Sequence, residues 1–136
     1  MLSICTTVKN RSIVRCEHGE LKLFPNCVDS IIRARGAIPE LELIVADWES
    51  NDWPLEQWLY EAAGPVPVQI VRMSGTFSRG RGLNAAAAAA HGEFLFFLDA
   101  DALVSESVLR SGISAMQEGK AYFPCLLYTS PSPRDS

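Results

Sequence analysis

Two carboxylates follow an apolar segment in FLFFLDADAL, the sequence of residues 94–103. Side chains two positions apart on an extended backbone point to the same side, so Asp99 and Asp101 are expected to face the same space. Carboxylates this close repel one another unless a cation lies beside them. Because Mg²⁺ and Mn²⁺ prefer oxygen ligands and complete their shell with phosphate and water, the pair predicts a site for a metal-bound diphosphate.

An acidic pair alone is weak evidence, because such pairs also occur in solvated turns and at helix starts, here the helix expected from Ser105. Residues 94–98 are too apolar for a surface loop, however, and other predicted strand ends carry polar groups. Thr7 lies near the end of the first strand and Arg11 follows it, and Asp47 follows the second strand. Asp47 could accept from a base N–H or a ribose hydroxyl, or serve as a loop acid near the next helix.

Strands and helices alternate along the predicted chain. The expected strands are residues 2–8, 41–46, 66–73, 93–98 and 121–126. The expected helices are residues 25–35, a helix capped by Asp52, one formed by LNAAAAAAHG, and residues 105–118. Strands that are apolar on both faces indicate an α/β fold, a Rossmann-like and mostly parallel sheet flanked by helices. Ligands of such sheets bind at the carboxyl ends of the strands. Residues 11–21 have no clear pattern.

Composition limits the class of protein. The 136 residues are 48% hydrophobic and 21% charged, which is typical of one globular domain. The net charge of −4, without a basic block, argues against nucleic acid as a partner. No segment approaches the roughly 20 apolar residues of a membrane helix, and no secretory signal begins the chain, so we expect a cytoplasmic protein. The four cysteines lack paired spacing and are expected to be reduced.

The segment GTFSRGRGLN, residues 75–84, suits an anion. Its glycines permit close approach of the backbone, its arginines suit phosphate, and a helix N-terminus is expected to follow. Among the aromatic residues, Trp48 could stack on a base or a sugar, whereas Trp58 is expected in the core. His91 is expected to complement a helix dipole.

Together these segments resemble the first half of a family 2 glycosyltransferase of the GT-A fold. The matching pieces are SICTTVKNR, ELIVADWESND and RGRGLNAAAAAAHGEFLFFLDAD. The last is the most specific, because its strand, its spacing and its D-x-D agree with the family pattern. The similarity covers residues 2–125. ADWES departs from the two adjacent acids and glycine common in the family, which places one base or ribose contact in doubt.

The resemblance implies transfer of a sugar from a nucleoside-diphosphate sugar, with UDP-sugar favoured, to an acceptor hydroxyl with inversion. Mn²⁺ or Mg²⁺ would act as a Lewis acid on the departing diphosphate. By the same resemblance, Asp101 would ligate the metal, and Asp99 would contact the ribose or the metal shell.

The resemblance also implies the rest of the donor site. Asp47 would bind the base in a pocket that Thr7 and Arg11 also line. Arg81 and Asn84 would lie near the diphosphate or the sugar. The general base of the family is expected after the fifth strand, beyond this sequence. We therefore expect an incomplete domain at residues 1–125 that binds the donor and is inactive alone, followed by a non-native or disordered tail at residues 126–136.

Two other functions remain open. A non-catalytic nucleotide-binding or interaction module would keep D-x-D for structure. A sugar-nucleotidyltransferase has the same α/β plan and also depends on a metal. That class is expected to have a glycine-rich basic loop after the first strand, where this chain has TTVKNRS. A dinucleotide-binding oxidoreductase is disfavoured because G-x-G-x-x-G is missing there.

Overall fold

The computed structural model describes residues 1–38 and 40–115. Its strands are Leu2–Val8 (β1), Val14–Cys16 (β2), Gly19–Leu21 (β3), Leu41–Asp47 (β4), Val68–Arg72 (β5) and Phe94–Phe97 (β6). Its α-helices are Leu23–Ala34 (α1), Leu59–Ala63 (α2), Arg79–Ala89 (α3) and Glu106–Ala115 (α4). Short 3-10 turns occupy Arg35–Ala37 and Leu55–Gln57.

The main sheet has the order β5-β4-β1-β6, and all its strands run parallel. The register pairs Val8 with Asp47 and Asp47 with Arg72, so these strand ends share one edge. Every residue of β1 and β4 is buried, as expected for central parallel strands covered on both faces. The predicted α/β fold, a mostly parallel sheet flanked by helices, is confirmed.

The two faces of the sheet carry different packing. On one face Ile4, Val8 and Val45 join a core with residues of α1, α2 and α4. On the other face Cys5, Ile44 and Ala46 pack against Ala86 of α3. Small side chains let this helix approach the sheet closely, which explains the run of alanines. Helix α3 begins at Arg79, earlier than predicted, because Ser78 Oγ caps it by accepting from the backbone N–H of Arg81 at 3.3 Å.

Two local predictions need correction. Residues 11–21, left unassigned, contain the antiparallel hairpin β2–β3. Asp52 does not cap a helix, since a 3-10 turn precedes α2 and the first residue of α2 is Leu59. The carboxylate of Asp52 instead accepts from the backbone N–H groups of Ser12 and Ile13, both at 2.9 Å. A contact 39 or 40 residues away in sequence has replaced the local cap.

Single-residue predictions had mixed outcomes. Trp58 is core, with its ring edge-on to Phe24 at 5.5 Å between centroids. His91 does not serve only the helix dipole, because its Nδ1 lies 3.0 Å from Oε1 of buried Glu42. The three cysteines of the described residues are free thiols, as predicted.

Part of the prediction concerns residues that the structure does not describe: Cys125, the fifth strand at 121–126, the helix beyond residue 115 and the tail at 126–136. Within residues 1–38 and 40–115, no helix is both long and apolar enough to cross a membrane.

Candidate functional site

A cavity of about 580 Å³ opens at the carboxyl edge of the sheet, beside the ends of β1 and β6. Residues 7–11 form one wall, and residues 99–101 form another. Phe77 and Arg79, from the start of α3 and the loop before it, complete the lining. The parallel topology explains this position, since the segments that follow β1, β5 and β6 all begin at this edge.

Asp99 and Asp101 both line this cavity, although not by the extended geometry expected. Strand β6 ends at Phe97, and the backbone then turns, with the N–H of Ala102 donating to the carbonyl of Asp99 at 3.0 Å. Asp99 is partly buried and Asp101 is exposed. The turn, rather than strand alternation, therefore brings the two carboxylates to one cavity.

Asp99 is bound by an arginine that the sequence did not single out. Nε and Nη2 of Arg79 each lie 2.9 Å from Oδ1 of Asp99, a charge-assisted contact between the first residue of α3 and the end of β6. The carboxylate of Asp101 has no partner within the described part of the chain. The two acids therefore have different electrostatic surroundings.

Thr7 lines the cavity and connects β1 both to β4 and to the residue that follows β4. Its hydroxyl donates to the carbonyl of Ala46 at 3.0 Å and accepts from Nε1 of Trp48 at 2.9 Å. Trp48 is only 1% exposed and packs against Phe77 and the Arg81 guanidinium. This burial argues against the hypothesis that the indole stacks on a base or a sugar.

Three predicted site residues lie outside the cavity lining: Asp47, Arg81 and Asn84. Asp47 is 1% exposed, accepts from the N–H of Ser50 at 3.1 Å and lies 3.8 Å from Nη1 of Arg72. The Arg81 guanidinium lies 5.5 Å from the centroid of the Trp48 ring. The structure brings together Thr7, Arg11, Asp99 and Asp101, and their roles as ligand-binding residues remain predictions.

Sequence reasoning did not predict Lys9 or Phe77 as lining residues, and it placed Arg79 only among the arginines suited to phosphate. Asn10 also lines the cavity. Asn10 has a positive φ of 53°, and its Oδ1 accepts from the N–H of Asn51 at 2.8 Å. That contact joins the loop after β1 to the loop after β4. Arg79 could have been found from Ser78, whose preference for N-caps places the following residue at the first helical position.

Cys27 lies beneath the acid pair, where its thiol donates to the carbonyl of Asp99 at 3.8 Å. Burial, and then the charges of Asp101 and Asp99, raise the pKa of this thiol to about 12. The thiolate is the reactive form, so this buried thiol is suited to supporting the turn rather than to nucleophilic attack.

The family model described as Glycosyl transferase family 2 matches residues 3–134 of this sequence. This chain belongs to glycosyl transferase family 2. The recognition made from the D-x-D and its neighbouring segments is thereby confirmed. No curated protein sequence matches the chain.

Solved glycosyltransferases share the fold of this family 2 chain. Mannosyltransferase PcManGT from Pyrobaculum calidifontis, solved with GDP-Man and Mn²⁺, superposes with a TM-score of 0.70 at 20% identity, over 87% of this chain and 32% of that one. S. aureus TarS 1–349 superposes with a TM-score of 0.68 at 20% identity, over 83% of this chain and 31% of that one. The structure of TarS 1–349 in complex with UDP-GlcNAc superposes with a TM-score of 0.68 at 19% identity, over 83% of this chain and 30% of that one. The chain thus spans less than a third of each structure.

The side chains of this family 2 domain that could ligate a metal ion fit one kind of metal site. The described residues contain no group of three or more His, Cys, Asp or Glu side chains that could enclose an ion. They supply Asp99 and Asp101 beside an open cavity. Mg²⁺ and Mn²⁺ are commonly held by one or two carboxylates together with phosphate oxygens and water. The residues present therefore fit a hard cation that binds together with a phosphate ligand.

Proposed function

We propose that this chain carries the donor site of a metal-assisted, inverting glycosyltransferase that moves a sugar from a nucleoside-diphosphate sugar to an acceptor hydroxyl. The observation that carries the proposal is one cavity with an acid pair on one wall and basic side chains on the others. UDP-sugar is the donor class we favour. Structural relatives were solved with UDP-GlcNAc and with GDP-Man, so both bases belong in the test.

The charges of the cavity support a diphosphate bound with a cation. Lys9, Arg11 and Arg79 suit phosphate oxygens, whereas Asp99 and Asp101 would repel them. A divalent cation between the phosphates and the acid pair removes that repulsion. The same arrangement would bind a free nucleoside monophosphate less well, because fewer phosphate oxygens reach the cation and the basic groups.

The chemistry follows from these placements. Bond cleavage at the donor sugar leaves negative charge on the diphosphate, which the bound cation and the basic side chains would neutralise. Asp101, exposed and without a protein partner in the described part of the chain, would hold the cation. Inversion also requires a general base at the acceptor hydroxyl, and we assign that role to no described residue.

Ligand-induced stabilisation tests the donor site on the full 136-residue chain. Thermal unfolding would be followed with UDP, GDP and CDP, each with and without Mn²⁺, for the wild type and Asp101→Asn. A ligand at about 100 times its dissociation constant adds ~2.7 kcal/mol, which raises the midpoint by several degrees. Asp29→Asn is the matched control, because that exposed carboxylate pairs with Arg33 on α1, outside the cavity.

We expect a Mn²⁺-dependent shift with UDP that Asp101→Asn loses and Asp29→Asn keeps. A folded chain that responds to no nucleotide would contradict the proposal. A shift that needs no Mn²⁺ and survives Asp101→Asn would favour the non-catalytic nucleotide-binding module instead.

A further inference from the structure

Arg79 and Arg81 lie two positions apart at the start of α3 and face different surroundings. Residues two apart on a helix are separated by about 200° around its axis. Arg79 lines the cavity, whereas the Arg81 guanidinium lies over the buried Trp48 ring at 5.5 Å from its centroid. The arginine available to a ligand in the cavity is therefore Arg79.

The contact with Asp99 leaves much of the Arg79 guanidinium available. Both contacts are made to the same oxygen, because Nε donates a hydrogen bond to Oδ1 and Nη2 lies 2.9 Å from it. A guanidinium has five N–H donors in a planar fork, so at least three remain beyond these two contacts. Free donors in one plane suit the paired oxygens of a phosphate.

The pair is anchored at both ends. Ser78 caps α3 and so fixes the backbone from which Arg79 extends. Asp99 belongs to the turn closed by the N–H of Ala102, and Cys27 supports its carbonyl from below. A side chain held in place before the ligand arrives loses less conformational freedom on binding.

The same contact changes what Asp99 can do. Its Oδ1 already accepts a hydrogen bond from Nε of Arg79 and lies 2.9 Å from Nη2, and a metal ion on the same carboxylate would lie close to that like charge. Asp101 carries no such partner in residues 1–38 and 40–115. The carboxylate suited to a metal is therefore Asp101.

We infer that Arg79 is a diphosphate-binding residue of this cavity, and that Asp99 is a positioning residue that holds its guanidinium there and is not a metal ligand. The inference rests on the proposed function and replaces the sequence-based role of Arg81. It also divides the acid pair, since one carboxylate orients an arginine and the other serves the cation.

The first experiment compares Arg79→Met with Arg81→Met by calorimetric titration of UDP and of uridine in Mn²⁺. Uridine shares the base and ribose but lacks phosphate. We expect Arg79→Met to weaken UDP ~10-fold to 100-fold, the range for loss of charge-assisted hydrogen bonds, and to leave uridine within ~2-fold. Arg81→Met should preserve the ratio of UDP affinity to uridine affinity.

The second experiment measures how much Mn²⁺ improves UDP affinity over EDTA in the variants Asp99→Asn and Asp101→Asn. We expect Asp101→Asn to abolish the improvement and Asp99→Asn to retain it. Both side chains are at least partly exposed, so the variants should fold, and their thermal midpoints without ligand would verify this.

The outcomes separate the two proposals. A wild-type chain that does not bind UDP with Mn²⁺ overturns the proposed function, and this inference with it. A wild type that binds while Arg79→Met binds equally well overturns only the role of Arg79. Equal loss of the Mn²⁺ effect in both aspartate variants overturns the division of the acid pair.

Discussion

Gly82 of α3 lies against the side chain of Thr7 on β1, with no room for a Cβ between them. A Cβ built on Gly82 would stand 2.6 Å from Cβ of Thr7 and 2.9 Å from Nε1 of Trp48. Attractive contacts between carbon atoms lie at about 3.5–4.0 Å. The distance between helix and sheet is thus set at this glycine, and Arg79 lies one turn earlier on the same helix.

Gly82→Ala should destabilise the protein by about 1–3 kcal/mol, because neither Thr7 on a central strand nor buried Trp48 can move away easily. Gly80→Ala is the matched control on the same helix, since no heavy atom lies within 4 Å of its Cβ position. There alanine should be neutral or stabilising by up to about 1 kcal/mol. Urea unfolding of both variants checks this, and equal stability would contradict the packing argument.

Thr7→Val should cost about 1–3 kcal/mol, because the indole N–H of Trp48 and the carbonyl of Ala46 each lose their hydrogen bond to the hydroxyl. Thr7→Ser keeps the hydroxyl and loses only a methyl group, so it should reduce the free energy of unfolding by about 0.8 kcal/mol. In a Trp48→Phe background the indole donor is already gone, so Thr7→Val should cost less there. An equal cost in both backgrounds would show that the two side chains are not coupled.

The parts of the fold that could be predicted depend on local pattern. Residues 2–8 and 41–46 were expected as buried strands because both faces are apolar, and β1 and β4 match them closely. Parallel order then follows, since helices separate the strands. The position of Asp99 and Asp101 beside Thr7 and Arg11 could be predicted for the same reason, because strand ends in such a sheet meet at one edge.

The remaining features depend on contacts between distant residues. Asp52 has the sequence signal of an N-cap, yet its carboxylate bonds the backbone of residues 12 and 13. The choice between Arg79 and Arg81 depends on the start of α3, and a helix boundary is uncertain by one or two residues even in known structures. A shift of that size turns each side chain to another face.

Asp52→Ala should destabilise the chain by about 1.5–3 kcal/mol, the range for hydrogen bonds to a charged group. Its carboxylate accepts from the N–H groups of Ser12, Ile13 and Trp53. Asp29→Ala removes an exposed carboxylate paired with Arg33 and should change stability by less than about 1 kcal/mol. Urea unfolding measures both, and equal effects would contradict a special role for Asp52.

Asp52→Ala should also weaken UDP binding, because residues 9–11 form a wall of the cavity and the Asp52 carboxylate holds the next two residues of that loop. Titration of UDP at a temperature where the variant stays folded isolates this effect. Unchanged affinity would show that the loop keeps its conformation without this carboxylate.

Glu42 forms a buried polar cluster at the opposite end of the sheet from the cavity. Its Oε2 accepts from Oγ of Ser3 at 2.5 Å and from the N–H of His91 at 2.6 Å, and its Oε1 lies 3.0 Å from Nδ1 of His91. The N–H of Gly92 donates in turn to Oγ of Ser3 at 2.8 Å. The cluster ties the segment that enters β6 to β1 and β4.

The pKa of Glu42 is lowered from its ordinary value of 4.5. Burial alone would raise it, but the hydrogen bonds from Ser3 and His91, together with the charge interaction with His91, outweigh burial. A carboxyl whose pKa is lower in the folded chain contributes stability that is fully present when the pH is above its pKa in the unfolded chain. That contribution is lost as the pH falls through the pKa of the group in the folded chain.

Glu42→Gln should therefore reduce the free energy of unfolding at pH 7, by about 1–3 kcal/mol. It should also flatten the loss of stability as the pH falls below the ordinary carboxyl pKa of 4.5, because the lowered pKa of Glu42 makes the unfolded chain take up this proton more readily than the folded one. Glu40→Gln is the control, because Glu40 is exposed two residues earlier and should retain the wild-type profile. Urea midpoints measured across pH 3–7 make the comparison. A Glu42→Gln profile parallel to that of the wild type would mean that this carboxylate has the same pKa in both states.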